Sequence, residues 1–240
     1  MQLRFSTWPE VETYLATRTD ILIPIGATEQ HGPFGLIGTD SLCAEGVANT
    51  TGERAGILVA PVLSVGMSLH HLSFPGSMSL RPGTMIAVLT DWCESLARHG
   101  FERLHFVNGH GGNIATTHAA FSEINHHHPQ LRCTLTNWYE LPAVQAIVSE
   151  HIGDREGAHA TPSELSLSWA LHPEHQRKTQ PQELATGMTG FCGAEHFRAT
   201  FPDGRVGADQ HLASVALGER LLEAAVGDVL RRHKGFVEQH

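Results

Sequence analysis

Four short stretches of the chain are largely apolar and show little alternation of hydrophobic and polar residues. Strands that are covered on both faces, as in parallel sheets flanked by helices, have this pattern. The predicted strands are residues 20–26 (DILIPIG), 57–60 (ILVA), 103–108 (RLHFVN) and 131–137 (LRCTLTN). We therefore expect a mainly parallel sheet.

Between these stretches, apolar positions recur every three or four residues, which predicts amphipathic helices. The predicted helices span residues 7–18, 40–55, 82–99, 113–127, 140–151, 162–171 and 208–233. Strands that alternate with helices imply right-handed crossovers, so the pattern predicts one three-layer α/β/α sandwich domain over 1–240. Residues 172–207 lack periodicity and could form a lid, an oligomer contact or a surface excursion.

The charge balance of the chain excludes some classes of partner. Its 240 residues carry a formal net charge of −9, and Lys178 and Lys234 are its only lysines. We therefore expect neither nucleic acid nor a membrane as a partner. The N-terminus lacks the apolar region of a signal peptide, and the apolar runs are too short to cross a bilayer. The four cysteines, at positions 43, 93, 133 and 192, are far apart, which is typical of a reduced, cytoplasmic protein.

Three loops follow predicted strands and should meet at one edge of the sheet, where open parallel sheets bind their ligands. The first, GATEQHGPFGLIGTD, carries Glu29, His31 and Asp40. The second places His71 just before FPGS, where its side chain could enter a pocket or make a structural hydrogen bond. The third, NGHGGN, carries His110 among glycines that let the backbone approach a ligand closely. Together the three loops define one candidate site.

A fourth element, EGAHATPSELSLSWAL, contributes further chemistry at the start of a predicted helix. Thr161 is the expected N-cap, and Glu164 is at the N3 position of a capping box. His159 precedes that acid by five residues. With the loops, the inventory is carboxylates and imidazoles without a thiolate, which suits zinc, manganese or iron. A carboxylate that can bridge, such as Asp40, permits two metal ions close together.

At these motifs the chain resembles the creatininase (creatinine amidohydrolase) family. GATEQHGP…GTD resembles the first metal loop of that family, and FPGS, NGHGGN and HA…E follow in the family's order over residues 20–170. The resemblance implies a layered α/β hydrolase of cyclic amides or related C–N bonds, with a dinuclear zinc or manganese centre and often a hexameric assembly. It also implies site roles: Glu29, His31, Asp40 and His110 as metal ligands, Asp40 as the bridge, and His159 as the catalytic histidine.

One position departs from the creatinine-cleaving members of that family. They carry a metal-binding glutamate two residues after the histidine that His110 matches, where this chain has Gly112. Many relatives share the GHGGN form, and in them a later glutamate can complete the metal shell. We therefore expect Glu164, which falls on the family's nearby acid, to be the fifth ligand and part of the catalytic apparatus. Creatinine itself is then a doubtful substrate.

The resulting hypothesis is that a metal-bridging hydroxide attacks an amide-type carbon while His159 donates a proton to the leaving nitrogen. The expected ligands are Asp40 between the ions, Glu29 and His110 on one ion, and His31 and Glu164 on the other. His71, Arg155 and Glu156 are candidates for binding polar groups of a small-molecule substrate.

Other interpretations of the same residues remain open. Glu164 could be only a capping acid, and His159 could be a surface histidine beside the helix. The site could also belong to a metallopeptidase that trims a modified peptide, or to a metal- or ligand-binding protein without turnover. A closed pocket favours a small molecule, whereas an open groove favours a peptide. A Rossmann-type nucleotide protein is disfavoured because no GxGxxG opens a helix after the first strand.

Overall fold

The computed structural model describes residues 1–181, 183–185 and 193–238 of the chain. Its strands are β1 (Asp20–Ile25), β2 (Arg103–Asn108) and β3 (Arg132–Asn137). Its α-helices are α1 (Trp8–Leu15), α2 (Thr39–Ala55), α3 (Pro82–Arg98), α4 (Asn113–His127), α5 (Pro142–His151), α6 (Pro162–Leu171), α7 (Ala194–Thr200) and α8 (Val215–Glu238). Within these residues no helix is long and apolar enough to cross a membrane.

The sheet is parallel, with the strands in the order β1-β2-β3. Its register places Ile25 beside Asn108 and Asn108 beside Asn137, so the three strands end at the same level. The loops that follow β1 and β2 therefore leave the sheet side by side. This arrangement brings the sequence-predicted loops to one edge.

Two apolar cores cover the two faces of the sheet. Leu22 in β1 and Val107 in β2 pack against residues of α2, α5 and α8. Ile21, Ile23 and Phe106 point to the other face and pack against α1, α3 and α4. Neighbouring strand residues thus face opposite layers, and the prediction of a three-layer α/β/α sandwich is confirmed.

The predicted strand 57–60 is not a regular strand. Its backbone pairs with β1 through isolated contacts, in which Leu22 N donates to Leu58 O and Ala60 N donates to Leu22 O. Pro61 follows at once and has no N–H to continue the ladder. The segment therefore lies along the edge of the sheet without extending it as a full strand.

The predicted helix 208–233 begins later than expected, because α8 starts at Val215. Before it, the Asp209 side chain caps a short 3-10 turn, and Gln210 turns inward to donate to the backbone oxygens of His31 and Ala160. The residues preceding α8 therefore hold the site loop instead of extending the helix.

The 172–207 segment, whose sequence lacks periodicity, contains one regular helix. Residues 194–200 form α7 and contact the turn at residues 69–71.

The cysteines in the described part of the chain are free thiols. Cys43 and Cys93 are buried, whereas Cys133 is partly exposed. Cys192 lies outside the described residues.

Candidate metal centre

The site forms where β1 and β2 end. Glu29 and His31 lie in the loop after β1, and Asp40 lies in the first turn of α2, which packs against β1. His110 lies in the loop between β2 and α4. All four side chains are buried, although Glu and Asp are seldom fully buried without a partner.

Asp40 lies between the two imidazoles of this group. Its Oδ1 is 2.9 Å from His31 Nε2, and its Oδ2 is 3.0 Å from His110 Nδ1. Glu29 Oε1 is 3.4 Å from the same His110 nitrogen. The Glu29 carboxylate from the loop after β1 and the Asp40 carboxylate from α2 therefore converge on the imidazoles.

The outer nitrogen of each imidazole faces a backbone carbonyl, which fixes the tautomer of the ring. His31 Nδ1 lies 3.1 Å from Glu29 O, and His110 Nε2 lies 3.0 Å from Met67 O. Likewise, His159 Nε2 lies 2.9 Å from Gln30 O. A carbonyl can only accept, so these nitrogens carry the protons. In the neutral form of each ring, the opposite nitrogen therefore presents a lone pair to the carboxylates, as in metal-ligating histidines.

Several inward atoms of the site make no hydrogen bond. Both oxygens of Glu29, Oδ2 of Asp40 and Nε2 of His31 are buried without a hydrogen-bond partner. Buried polar atoms are normally hydrogen-bonded, and acceptors that face one another repel unless a positive charge lies between them. The residues present therefore fit a divalent cation, and their nitrogen and oxygen donors suit zinc or manganese.

The pKa values of the metal-free chain indicate the same preference for positive charge. Burial lowers the pKa of His31, but the Asp40 carboxylate outweighs it and raises the pKa to about 10. Burial likewise opposes protonation of His110, whereas Glu29 and Asp40 raise its pKa to about 9. Burial raises the pKa of Glu29 to about 7. A cation, whether a proton or a metal ion, stabilises this cluster.

Ligand atoms of the site form three groups, each lying within 4.8 Å: Glu29, Asp40 and His110; His31, Asp40 and Glu164; and Glu29, His31 and His159. Asp40 belongs to the first two groups. These two groups have the composition that the sequence predicts for two ions bridged by Asp40. The third group places His159 against the same centre.

Glu164 combines the two roles that the sequence left open. Its Oε2 accepts from Thr161 N at 2.9 Å and from Thr161 Oγ1 at 2.8 Å, which completes the capping box of α6. The same carboxylate also contributes an oxygen to the group with His31 and Asp40. Burial raises its pKa, although His31 opposes that shift. The helix cap therefore orients a potential metal ligand.

His159 lies at the rim of the centre and is not a surface residue. Its Nδ1 is 3.6 Å from Glu29 Oε1, and burial lowers its pKa well below the usual value. The ring stacks on His71 with centroids 4.3 Å apart, and Phe197 of α7 packs edge-on against His71 at 4.6 Å. His159 is therefore held as a neutral imidazole between the metal cluster and an aromatic wall.

A cavity of about 400 Å³ opens onto these residues. Asp40, His110, His159 and Glu164 line it, together with the candidate substrate residues His71 and Glu156. One oxygen of Glu156 accepts from Ser163 Oγ, whereas Oε2 is buried without a partner. Burial raises the pKa of Glu156 to about 7.

Arg155 is not brought into this cavity. Its guanidinium pairs with the buried carboxylate of Asp209, while more than half of the Arg155 side chain is exposed. The attraction of that buried carboxylate accounts for its orientation away from the site. A role for Arg155 in substrate binding has no support in this geometry.

Sequence reasoning missed three contributors to the site. Gln30, between two predicted ligands, bonds inward to His71, whereas alternation along an extended loop would point it away. Phe197 and Tyr139 line the cavity from distant parts of the chain. The N-cap of α6 can be recognised from neighbouring residues in the sequence, whereas no local sequence pattern indicates these long-range contacts.

Several known proteins that are similar to this chain in sequence or fold are hydrolases. A model of the creatininase family, described as creatinine amidohydrolase, matches residues 4–232. Creatinine amidohydrolase of Pseudomonas putida is 32% identical over 183 residues, which cover 70% of each chain. The solved structure named creatininase Mn superposes with a TM-score of 0.88 at 24% identity and covers 99% of both chains. That likeness confirms the predicted fold.

A second type of relative shares a shorter stretch. The mycofactocin precursor peptide peptidase of Mycolicibacterium smegmatis is 38% identical over 106 residues, which cover 42% of this chain and 42% of that relative. The matched stretch thus spans less than half the length of this relative. Proteins similar to the chain therefore include one named for a small cyclic amide and one named for a peptide.

Proposed function

Because this chain belongs to the creatininase family of metal-dependent amidohydrolases, we propose that it hydrolyses a C–N bond of a compact cyclic amide or formamide-type substrate. The observation that carries the proposal is the pair of ligand groups that share Asp40. Zinc or manganese ions bound by Glu29, His31, Asp40, His110 and Glu164 would polarise an amide carbonyl and lower the pKa of water. Fe²⁺ would suit the same donors.

His159 is assigned the proton transfers of the reaction. Its Nε2–H is engaged by Gln30 O, so Nδ1 is the nitrogen that faces the centre with a lone pair. In this proposal Nδ1 first accepts a proton from the attacking water, and then delivers it to the leaving nitrogen. The water oxygen bonds to the carbonyl carbon as the C–N bond breaks, so one water is consumed per bond. The histidine therefore acts as base before it acts as acid.

The cavity supports a substrate without negative charge. Its lining includes Glu140, Glu156 and Glu164, and in the part of the chain that the structure describes it includes no lysine or arginine. The unpartnered Oε2 of Glu156 suits an N–H donor of the substrate. A volume of about 400 Å³ lies in the range of small-molecule sites. We therefore expect a neutral or cationic small amide.

Peptide trimming is the second candidate, and the similarity to the mycofactocin precursor peptide peptidase favours it. The same proton transfers would serve a peptide bond, so the centre alone does not distinguish the substrates.

Three further expectations stay predictions. They are a single domain over 1–240, a homo-oligomer that is hexameric by family resemblance, and a cytoplasmic location.

The test combines metal content with turnover in the full chain. Purified protein is analysed for zinc, manganese and iron, and then assayed with lactams, hydantoins, formamides and short peptides. We expect two ions per chain, loss of metal in Glu29→Gln, and metal without turnover in His159→Ala. His128→Ala, which removes a surface imidazole paired with Glu94, is the matched control.

Several outcomes would contradict the proposal. A wild-type chain that holds metal but cleaves none of these substrates would favour a metal-binding protein without turnover. Full metal content in Glu29→Gln, or normal turnover in His159→Ala, would remove the assigned roles. Cleavage of the short peptides and of none of the other substrates would support the peptidase function instead.

A further inference from the structure

Gln30 lies between two proposed metal ligands, but its side chain bonds to neither of them. Its amide is buried, and Oε1 accepts from the backbone N–H of Gly32 at 2.8 Å. This bond identifies Oε1 as the oxygen, so Nε2 is the atom that carries two hydrogens. The orientation of the amide group is therefore determined by the backbone.

Three atoms lie 2.9 Å from Gln30 Nε2, although it has only two hydrogens to donate. They are Gly204 O, His71 Nδ1 and His159 Nε2. Gly204 O can only accept, so it takes one hydrogen. The remaining hydrogen goes to one of the two imidazoles.

The backbone carbonyl of Gln30 decides which imidazole receives that hydrogen. Gln30 O lies 2.9 Å from His159 Nε2, and two acceptors at this distance would repel each other. His159 Nε2 is therefore a donor and does not take the amide hydrogen. His71 Nδ1 takes it, so both amide hydrogens and the N–H of His159 each have an acceptor, although Gln30 Nε2 and His159 Nε2 then meet as two donors.

The two stacked imidazoles consequently present opposite groups to Glu29. His71 carries its proton on Nε2, which is 3.3 Å from Glu29 Oε1. His159 presents a bare Nδ1, which is 3.6 Å from the same oxygen. The N–H of His71 thus attracts the Glu29 carboxylate electrostatically, without a hydrogen bond between them, whereas the bare nitrogen of His159 is free to accept a proton.

We propose that Gln30 is a positioning residue that fixes the Nε2–H tautomer of both His71 and His159, so that the two rings present opposite groups to Glu29, and thereby orients Glu29 for metal binding. The consequence for hydrolysis rests on the proposed function, whereas the tautomers themselves do not depend on it. Residues that orient metal ligands from outside typically change metal affinity or activity by roughly 10–100-fold when they are removed.

The test uses two variants that remove the amide hydrogens and one control. Gln30→Met has similar length and no polar atom, whereas Gln30→Glu keeps the shape but replaces the amide nitrogen by oxygen. Gln210→Met is the matched control, because Gln210 Nε2 also supports the loop, through His31 O and Ala160 O, but contacts no ring nitrogen.

The first measurement is the tautomer of each ring, by long-range ¹⁵N–¹H correlation spectra of ¹⁵N-histidine-labelled, metal-free full chain. His71→Asn and His159→Asn variants assign the two signals. We expect Nε2–H forms for both rings in the wild type and in Gln210→Met. We expect His71 to leave this form in Gln30→Met, and to place its proton on Nδ1 in Gln30→Glu, where a carboxylate oxygen can accept it.

The second measurement is zinc affinity by competition with a chromophoric chelator. We expect roughly a 10–100-fold loss in both Gln30 variants and less than a threefold change in Gln210→Met. A wild-type His71 with its proton on Nδ1 would overturn the proposal, as would unchanged tautomer and affinity in Gln30→Met. Equal losses in Gln210→Met would show a structural role only. Absence of zinc binding with the expected tautomers would refute the proposed function but not the hydrogen-bond assignment.

Discussion

Thr161 and Glu164 form a reciprocal capping box in which the acid is also directed to the metal centre. Thr161 Oγ1 accepts from Glu164 N, while Glu164 Oε2 accepts from both Thr161 N and Thr161 Oγ1. The chain contains a second box, at Thr7 and Glu10, which is exposed and far along the sequence from the site. The two boxes allow the cap and the metal role of Glu164 to be separated.

We predict that Glu164→Gln lowers the metal content to one ion per chain but changes stability by less than about 0.5 kcal/mol. Glutamine can serve at the third position of a capping box, whereas it is a poor substitute for an anionic ligand. Elemental analysis and denaturant unfolding of the metal-free protein measure the two effects. Glu10→Gln is the control and should keep both ions. If the Glu164→Gln variant still binds two ions, Glu164 acts only as a capping residue and not as a metal ligand.

The parts of the structure that follow from local chemistry could be predicted from the sequence. Thr161, Pro162 and Glu164 mark the start of α6 because each acts within one helical turn. The start of α8 could not be predicted in this way, because Gln210 is held by the carbonyl oxygens of His31 and Ala160, which lie 179 and 50 residues earlier in the chain. The site divides similarly: the ligand loops show their chemistry in the sequence, whereas Gln30 is identified only by the rings that surround it.

Gly112 gives the second prediction, since its position excludes the glutamate found in creatinine-cleaving relatives. A Cβ atom there would lie 2.4 Å from His110 Nε2 and 2.5 Å from Met67 O. It would therefore disrupt the bond that orients His110. We expect Gly112→Ala to weaken zinc binding by roughly tenfold or more, and Gly112→Glu not to restore a creatininase-like shell.

The neighbouring glycine offers a direct control for this effect. A Cβ at Gly111 would meet only Tyr139 Oη, at 3.6 Å, which is ordinary contact. Gly111→Ala should therefore bind zinc as the wild type does, measured with the same competing chelator. Equal affinity in Gly112→Ala and the wild type would mean that His110 does not depend on Met67 for its orientation.

Metal removal gives the third prediction. Both carboxylate oxygens of Glu29, Oδ2 of Asp40 and Nε2 of His31 lack hydrogen-bond partners, so a bound cation should stabilise the folded state. At a free ion concentration of about 1,000 times Kd the gain is about 4 kcal/mol, which for a chain of this size corresponds to roughly 8–16 °C in Tm. Calorimetry with EDTA and then with added Zn²⁺ or Mn²⁺ measures the shift.

Two comparisons make this shift specific to the proposed centre. Asp40→Asn should lose most of it, because Asp40 belongs to two of the ligand groups. Ca²⁺ should produce a smaller shift than Zn²⁺, since it prefers about six to eight oxygen ligands and two of the five expected ligands are imidazoles. A large shift with Ca²⁺, or an undiminished zinc shift in Asp40→Asn, would place the stabilising ion elsewhere.

A buried histidine away from the ligand groups gives the last prediction, which concerns pH. His105 is fully buried, with Nε2 2.8 Å from Thr136 Oγ1 and Nδ1 3.1 Å from His233 Nδ1. Burial lowers the pKa of His105 to about 3, and His233 and Arg232 add to the shift. The unfolded chain binds a proton at this residue near pH 6.5, whereas the folded chain does not.

The sign follows from that difference in proton binding. Stability from the neutral His105 is fully present above about pH 6.5 and falls by up to about 1.4 kcal/mol per pH unit as the pH drops toward 3. Asp20, which accepts a hydrogen bond from His233, also titrates at acidic pH. Burial would raise the pKa of Asp20, but hydrogen bonds from His233 and Arg18 lower it. The stability that Asp20 contributes is therefore lost only below about pH 4, where the unfolded carboxyl becomes protonated.

His105→Gln removes the titrating group and should flatten the stability profile between pH 6.5 and 4.5. Urea unfolding of the metal-free wild type and variant across this range measures the slopes, and the other histidines contribute equally to both proteins. We expect the wild-type slope to be steeper by about 1 kcal/mol per pH unit. Parallel profiles would mean that His105 accepts a proton in the folded state, with His233 or Thr136 rearranging to accommodate it.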